Sequence, residues 1–323
     1  MKSHKIQILS ALLVTTISTS AWAEPGQAGD LPHYQPAILE QGSLTSVGSD
    51  SMDELVGKWV EAYKLFQPTV SIQVQSRGSA TAPAALIEGV ADLGPMARPM
   101  KTPELESFKQ KYGFAPTQIR TAVAGTAVYV SPENPLTQIS LDDLDAIYSA
   151  ERKRGTKSAA ITWGDLNAKG GFGDLPIMAL GTVPGDVTHT YFRQRVLLQS
   201  PFAESVISTA DTRSMFATIV ANKNAIGFGE AGFANGQVKA LAIKEEPKGT
   251  AYLPTKENLL NSRYPLGRYL NVYIVRHRGE ELDATTKDFL RFVLSVEGQQ
   301  VVESQGLMPL PASVVKEELK KLM

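Results

Sequence analysis

The chain has 323 residues with 32 basic and 33 acidic side chains and no cysteine. This composition excludes disulfides, cysteine nucleophiles and a lipid-modified N-terminal cysteine, and the balanced charge argues against nucleic acid or an anionic membrane as a partner. Beyond residue 23 the histidines are His33, His189 and His277, too far apart in sequence for a metal-ligand motif, so we predict neither a metal site nor a cofactor.

Residues 1–23 have the pattern of a secretory signal. Lys2 and Lys5 precede an apolar stretch that ends at Ala21-Trp22-Ala23, an A-x-A cleavage site. The apolar part is too short to span a membrane, and no later segment has the 18 or more apolar residues that a span requires. We therefore expect a periplasmic chain of 300 residues without a lipid anchor, with a net charge of −3.

The elements that follow alternate between strands and helices, which is typical of a sheet built from βα units. Residues 24–42 are rich in Pro and Gly without periodicity and predict an extended arm. The predicted strands lie at 43–49, 69–75, 91–94, 121–130, 176–180, 225–228, 237–243 and 269–276. Helices are predicted behind 48–52 and 78–83, after the caps Thr102 and Ser140, at 187–198 and 212–222, and around Phe289.

Two long β runs, 121–130 and 269–276, enclose a middle block of about 140 residues. This arrangement predicts a discontinuous first lobe, 43–122 plus 263–323, and an inserted second lobe, 123–262. The predicted fold class is α/β, with two lobes that each hold a mixed sheet flanked by helices and are joined by two crossover strands. A ligand then belongs in the cleft between the lobes.

Turns of small polar residues stand before three of the predicted helices: "GSDSM" at 48–52, "RGSAT" at 77–81 and "PGDVTHTYF" at 184–192. A helix N-terminus offers unpaired backbone N–H groups and the positive end of a dipole, so such turns can cradle an anion. Ser, Thr and Asp are also the usual caps of any helix. One turn alone therefore indicates capping, whereas three in a bilobed exported chain favour an anion site.

Six segments carry a family resemblance: "GSDSM" (48–52), "GSATAP" (78–83), "LGPMARPM" (93–100), "TWGDL" (162–166), "YPLGRYL" (264–270) and "LSVEGQQVVESQGLMPLP" (294–311). In combination they resemble the phosphate-binding proteins of the phosphate-specific ABC transporter, within the periplasmic solute-binding superfamily that has two crossover strands. The resemblance implies a type II, two-lobed fold. It also implies a monomeric receptor that passes phosphate or a similar oxyanion to an inner-membrane ABC permease.

The resemblance further implies ligand contacts, position by position, at the turns and helix starts: Asp50, Ser51, Gly78, Ser79, Arg98 and Thr188. Arg98 has a second interpretation as a structural hydrogen-bond hub. Arg77 stands where the relatives often have Gly. It is either an added positive charge for the anion or a solvent-facing arginine at a strand end.

The chain departs from the family pattern at positions that bind the anion. The second-lobe motif of Arg, three residues and Ser-Gly-Thr here has Thr182, Asp186, Val187 and Thr188. Ala97 replaces a Ser or Asp, and Ala124 replaces the family's Asp in the crossing strand. Losing the guanidinium partner of a buried anion costs about 3 to 5 kcal/mol. Asp186 either adds repulsion or caps the following helix.

Two hypotheses from different classes follow. The first is a receptor whose lobes close over an oxyanion, and the second is a scaffold or interaction protein that keeps the fold but has lost or changed its ligand. An enzyme is not predicted. "GFGEAG" (227–232) matches G-x-G-x-x-G, but a turn and a strand follow it instead of a helix, and no G-x-S-x-G is present for a serine hydrolase.

Overall fold

The computed structural model describes residues 31–39, 41–184, 186–233, 236–277 and 279–323. The predicted signal segment, 1–23, lies outside the described residues. Within them, no helix has both the length and the apolar character needed to cross a membrane.

The strands in the described residues are β1 (Gly42–Gly48), β2 (Val70–Ser76), β3 (Gly94–Met96), β4 (Thr117–Val130), β5 (Gln138–Ser140), β6 (Met178–Thr182), β7 (Ile207–Thr209), β8 (Ala225–Glu230), β9 (Lys239–Ala240), β10 (Ala242–Lys244), β11 (Ala251–Tyr252) and β12 (Gly267–Ile274). The α-helices are α1 (Asp53–Tyr63), α2 (Thr81–Glu88), α3 (Thr102–Tyr112), α4 (Leu141–Tyr148), α5 (Val187–Arg195), α6 (Thr212–Ala221), α7 (Lys256–Leu260), α8 (Ala284–Val293), α9 (Val296–Ser304) and α10 (Ala312–Lys320). This alternation confirms the predicted α/β class.

One seven-stranded sheet runs through the molecule in the order β3-β12-β4-β8-β6-β7, with β9 also paired to β4. The long strand β4 has two partners: its first part pairs antiparallel with β12, and its second part, from Thr126 onward, pairs antiparallel with β8. A parallel β1–β2 pair and a small β11-β10-β5 sheet flank it. The two long predicted β runs are therefore neighbours in one sheet. The lobe boundaries assigned from them stay a prediction.

Helix α1 shows how the sequence pattern positions the core. Its predicted stripe, Leu55, Val56, Trp59, Val60 and Tyr63, is buried in full. Each such side chain contributes about 1.5 to 3 kcal/mol through burial. The Trp59 indole N–H also donates to the Gly298 carbonyl at 2.8 Å, which ties α1 to the turn that begins α9. The "GSDSM" turn (48–52) therefore leads directly into a helix that is packed firmly in the core.

Residues 31–39 form an extended segment that packs on the helices instead of standing free. The Tyr34 hydroxyl donates to Asp288 at 2.5 Å, and the backbone N–H of Ala37 donates to the same carboxylate at 3.0 Å. Tyr63 of α1 supplies a third donor at 2.9 Å. A buried carboxylate needs such partners, so Asp288 links this segment to α1 and α8.

Several predicted boundaries differ from the structure, and three of them have a bearing on the turns and helix starts. The third strand is Gly94–Met96 and not 91–94. Helix α3 has Lys101 as its N-cap, with Thr102 as its first residue, because the Glu104 carboxylate accepts from the Lys101 N–H and satisfies the cap position. Helix α5 ends at Arg195 and not at 198, since Leu198 and Gln199 adopt positive φ angles of 49° and 68°.

Candidate functional site

A cavity opens at the middle of β4, where the strand changes partner from β12 to β8. Its volume is about 400 Å³, including the part open to solvent. We call it the crossover cavity. The residues that line it are Val123, Ala124, Gly125, Thr126, Val187, Thr188, Glu230, Gly232, Leu259, Arg268, Gly306, Leu307 and Met308. The crossing strands, the start of α5 and the end of β8 thus meet around one space, as expected for an interlobe cleft.

Arg268 provides the positive charge of the crossover cavity. It lies on β12 opposite Ala124 of β4, and its guanidinium carbon is 3.5 Å from the centre of the Tyr191 ring. Its Nε is buried without a hydrogen-bond partner among the described residues, and no ion pair within that part of the chain includes it. Burial lowers the pKa of Arg268, and the electrostatic interaction and side-chain hydrogen bond with Tyr191 oppose this shift. A guanidinium in this setting lacks a counter-anion.

Glu230 ends β8 opposite Thr126 and brings a carboxyl group to the same cavity. Burial, together with the negative charges of Asp186 and Glu54, raises the pKa of Glu230 to about 7. Glu54 belongs to the first turn of α1, so the region behind "GSDSM" faces Glu230 closely enough for the charges to interact. The Glu230 carboxyl therefore keeps its proton to a higher pH than an ordinary glutamate, and in the protonated form it can both donate and accept a hydrogen bond.

The start of α5 is organised by Asp186, which is its N-cap. One carboxylate oxygen accepts from the backbone N–H groups of Thr188 at 2.7 Å and His189 at 3.2 Å. The Thr182 hydroxyl donates to the same oxygen at 3.1 Å. Asp186 and Thr188 line a second hollow, of about 660 Å³ including its open part, that also borders Glu230 and so adjoins the crossover cavity. The capping interpretation of Asp186 is confirmed by this geometry.

The first two turns come together as a group, which we call the turn cluster: residues 48–52, 78–82 and 95–98. The Ser49 N–H donates to the Pro95 carbonyl at 2.8 Å, and the Ser79 hydroxyl accepts from the Ala97 N–H at 3.2 Å. Gly48 has a tight position, because a Cβ there would collide with the Pro95 carbonyl oxygen. Gly78 has φ +95°, which side chains disfavour.

Within the turn cluster, Asp50 is exposed on a short 3-10 turn and accepts from the Ser51 N–H at 2.9 Å. The Ser51 hydroxyl contacts that of Ser49 at 3.0 Å. The structure thus brings Asp50, Ser51, Gly78 and Ser79 into one cluster and places Thr188 in the crossover cavity. Which of these residues contact a ligand stays a prediction.

The two predicted arginines have other surroundings. Arg98 forms a two-pronged ion pair with Glu104, with nitrogen–oxygen distances of 2.8 and 2.7 Å, and also donates to the Pro99 carbonyl. Arg77 is exposed and lines a different hollow, on the side of α2 that holds Glu88 and Val90. The Arg98 charge is therefore already compensated, and Arg77 does not border the crossover cavity.

Sequence reasoning missed Arg268 and Glu230. Arg268 is part of the segment "YPLGRYL", where a single guanidinium precedes an apolar strand. That placement was a usable signal. The predicted strand 225–228 stops short of Glu230, which is the last residue of β8. The "GFGEAG" match itself lies across β8 and a 3-10 turn, so no α-helix begins directly behind it.

Comparisons with known proteins agree with one another. A family model described as the PBP superfamily domain matches residues 35–297. The phosphate-binding protein PstS of Pseudomonas aeruginosa is 40% identical over 293 residues, which are 90% of each chain. The protein of the same name from Staphylococcus aureus strain USA300 is 26% identical, over 87% of this chain and 83% of its own.

Solved structures show the same fold. A possible phosphate binding protein from Planctomyces limnophilus matches with a TM-score of 0.75 at 22% identity, over 87% of this chain and 98% of that one. An ABC-type phosphate transport receptor from Vibrio cholerae matches with a TM-score of 0.63 at 22% identity, over 83% and 100%. These matches confirm the predicted two-lobed architecture.

Proposed function

This chain belongs to the PBP superfamily and, within it, to the family of PstS phosphate-binding proteins, and from that premise we propose that it captures phosphate or a related oxyanion for an ABC transporter. The proposed ligand site is the crossover cavity, and in this proposal the turn cluster supplies further donors to the same ligand. In this proposal the chain is a monomeric periplasmic receptor, exported by residues 1–23, whose closed form is read by an inner-membrane permease. Its proposed activity is binding and not catalysis.

The observation that carries the proposal is the guanidinium of Arg268 in the crossover cavity. The group is buried at Nε and has no carboxylate partner among the described residues. Leaving such a charge uncompensated costs several kcal/mol, so the cavity favours an anionic guest. Arginine also offers the planar pair of N–H donors that matches two oxygens of a phosphate.

Neutral and titratable groups complete the proposed site. Thr126 and Thr188 bring hydroxyl groups to the cavity wall, and both residues are buried. Glu230, with its pKa near 7, can donate to one ligand oxygen or accept a proton from another. The combination suits a small oxyanion that carries both unprotonated oxygens and an O–H group, which supports phosphate over an anion without a proton.

The test is isothermal titration of the mature protein with phosphate, sulfate and a phosphate monoester. We expect phosphate to bind, and Arg268→Met to weaken it by two to three decades, the equivalent of about 3 to 4 kcal/mol. Ser79→Ala and Thr188→Val should each weaken binding by less, because each removes a neutral partner. Arg195→Met is the matched control, since that arginine pairs with Glu245 away from the cavity.

Two results would count against the proposal in different ways. Heat and thermal shift absent for every anion at millimolar concentration would exclude the receptor function and favour a scaffold or interaction protein. Binding by the wild-type protein that survives Arg268→Met unchanged would keep the function but move the site away from the crossover cavity.

A further inference from the structure

The N-terminus of α5, beside the crossover cavity, is already capped by the carboxylate of Asp186. One oxygen of Asp186 accepts three hydrogen bonds, from the Thr188 N–H, the His189 N–H and the Thr182 hydroxyl, at 2.7, 3.2 and 3.1 Å. The two amides are the second and third N–H groups of α5, at its positive end. A second anion at this helix start would therefore meet donors that are already in use.

Capping alone does not set Asp186 apart, because other helices of the chain begin in the same way. Asp283 accepts from the Thr286 N–H at 2.8 Å at the start of α8, and Asp211 accepts from the Ser214 N–H at 2.7 Å at the start of α6. The location of Asp186 is different from that of Asp283. Asp186 shares a hollow with Thr188 and Glu230, the two residues that also line the cavity of Arg268. Asp211 borders the same hollow, but only Asp186 caps the helix that carries Thr188.

The charge of Asp186 also acts on the crossover cavity. Its charge is one of the causes that raise the pKa of Glu230, together with burial and Glu54. A negative group that acts on Glu230 also acts on a guest placed between Glu230 and Arg268. Asp186 therefore opposes an incoming anion through its charge as well as through the donors that it occupies.

We propose that Asp186 is the affinity-setting and specificity-determining residue of the cleft, a built-in competitor whose carboxylate occupies the α5 donors that an external oxyanion would use. The inference rests on the proposed function, because it concerns the same ligand site. Anions of lower charge are favoured by this arrangement, since repulsion by Asp186 grows with the charge of the guest.

Substitution of Asp186 tests the proposal directly. Asp186→Ser removes the charge, keeps a residue type that caps helices equally well, and adds a hydroxyl donor. We expect at least about a tenfold gain in phosphate affinity, because a like charge nearby is removed and a neutral serine hydroxyl holds the two backbone amides less strongly than a carboxylate does, so an anion can displace it. Asp186→Asn keeps an oxygen acceptor for the amides and removes only the charge, so its gain should be smaller.

Asp283→Ser is the matched control for the loss of a capping aspartate far from the cavity. It should lower Tm about as much as Asp186→Ser does while leaving phosphate affinity unchanged. If Asp186→Ser fails to fold, Asp186→Asn answers the same question, because its cap is retained.

The titration results distinguish a failure of the inference about Asp186 from a failure of the proposed receptor function. Tighter phosphate binding by the Asp186 variants supports the inference, including the case in which the wild-type protein shows no binding. Equal or weaker binding by these variants, with clear binding by the wild type, overturns the inference and leaves the receptor function standing. No binding by any of the proteins overturns the receptor function and the inference together.

Discussion

The turn cluster and the crossover cavity differ in how their charges are partnered. In the turn cluster, Arg98 is matched by Glu104 in a two-pronged ion pair. In the crossover cavity, Arg268 and Glu230 both lack a side-chain ion-pair partner among the described residues. The arginine of the turn cluster is therefore already paired with a carboxylate, whereas the guanidinium of the crossover cavity can take an anionic guest as its partner.

This contrast follows the sequence departures closely. The turn cluster is built from "GSDSM", "GSATAP" and "LGPMARPM", segments in which the resemblance to phosphate-binding proteins is strong apart from Ala97. The cavity contains Ala124 and adjoins Thr182 and Asp186, where the family pattern is lost. We therefore expect the crossover cavity to determine which anion is bound. The turn cluster keeps the sequence pattern of the family, whereas the charged residues in and beside the crossover cavity differ from it.

The largest expected effect on stability comes from Glu230→Gln at high pH. Because the folded-state pKa is raised, the unfolded chain loses its proton first, and stability falls as pH rises from the ordinary value of 4.5 to about 7. Above that range the loss is constant, at about 3 kcal/mol. Glu230→Gln should therefore stabilise the protein by up to about 3 kcal/mol at pH 8 and change little at pH 5.

Urea unfolding at both pH values measures this effect. Glu106→Gln is the control. Because Glu106 is exposed on α3, this substitution should leave the free energy of unfolding unchanged at both pH values. A stability difference for Glu230→Gln that does not depend on pH would mean that Glu230 has an ordinary carboxyl environment, and the contrast between the two regions would be lost.

A smaller effect of opposite sign is expected from Glu104→Gln in the turn cluster. The hydrogen-bonded guanidinium of Arg98 lowers the pKa of Glu104, so this group stabilises the fold above its ordinary pKa and loses that contribution as pH falls through the lowered value. The pair is partly exposed, with 30% and 19% side-chain exposure, so its contribution is about 1 kcal/mol.

Thermal unfolding of Glu104→Gln and wild type at pH 7 and pH 3 checks this prediction, again with Glu106→Gln for comparison. Destabilisation should be seen at pH 7 and be smaller at pH 3, because the contribution of Glu104 declines as pH falls below the ordinary value of 4.5 toward the lowered pKa of the folded state. A stabilised Glu104→Gln protein at pH 7 would show that the charge of Arg98 is not compensated as the geometry indicates.

Much of the fold could be predicted from the sequence because periodicity reports burial locally. The stripe on α1 and the cap Ser140, which accepts from the Asp143 N–H, both lie where the sequence indicated. Thr102 was wrong as a cap because the carboxylate of Glu104 competes for that position. Hydrophobic periodicity does not indicate whether Lys101 or Thr102 is the N-cap of α3.

The candidate site was harder to predict, because charge compensation is a tertiary property. Arg268 owes its environment to Tyr191 on a distant helix, and the pKa of Glu230 depends on Asp186 and Glu54 from two other elements. Arg98, in contrast, finds Glu104 only six positions away. The alternative interpretation of Arg98 as a structural hub was available from the sequence for that reason.

Arg77→Ala gives the smallest expected change and separates the two sources of positive charge. The Arg77 side chain is exposed and borders Glu88, while the crossover cavity is lined by Arg268. We therefore expect phosphate affinity to stay within about twofold of wild type, since an exposed charge outside the cavity is screened by solvent and salt. Isothermal titration at 50 mM and 300 mM salt measures this. A loss of tenfold or more at both salt concentrations would contradict this expectation and show that Arg77, which directly precedes the second segment of the turn cluster, supplies a positive charge to the bound anion.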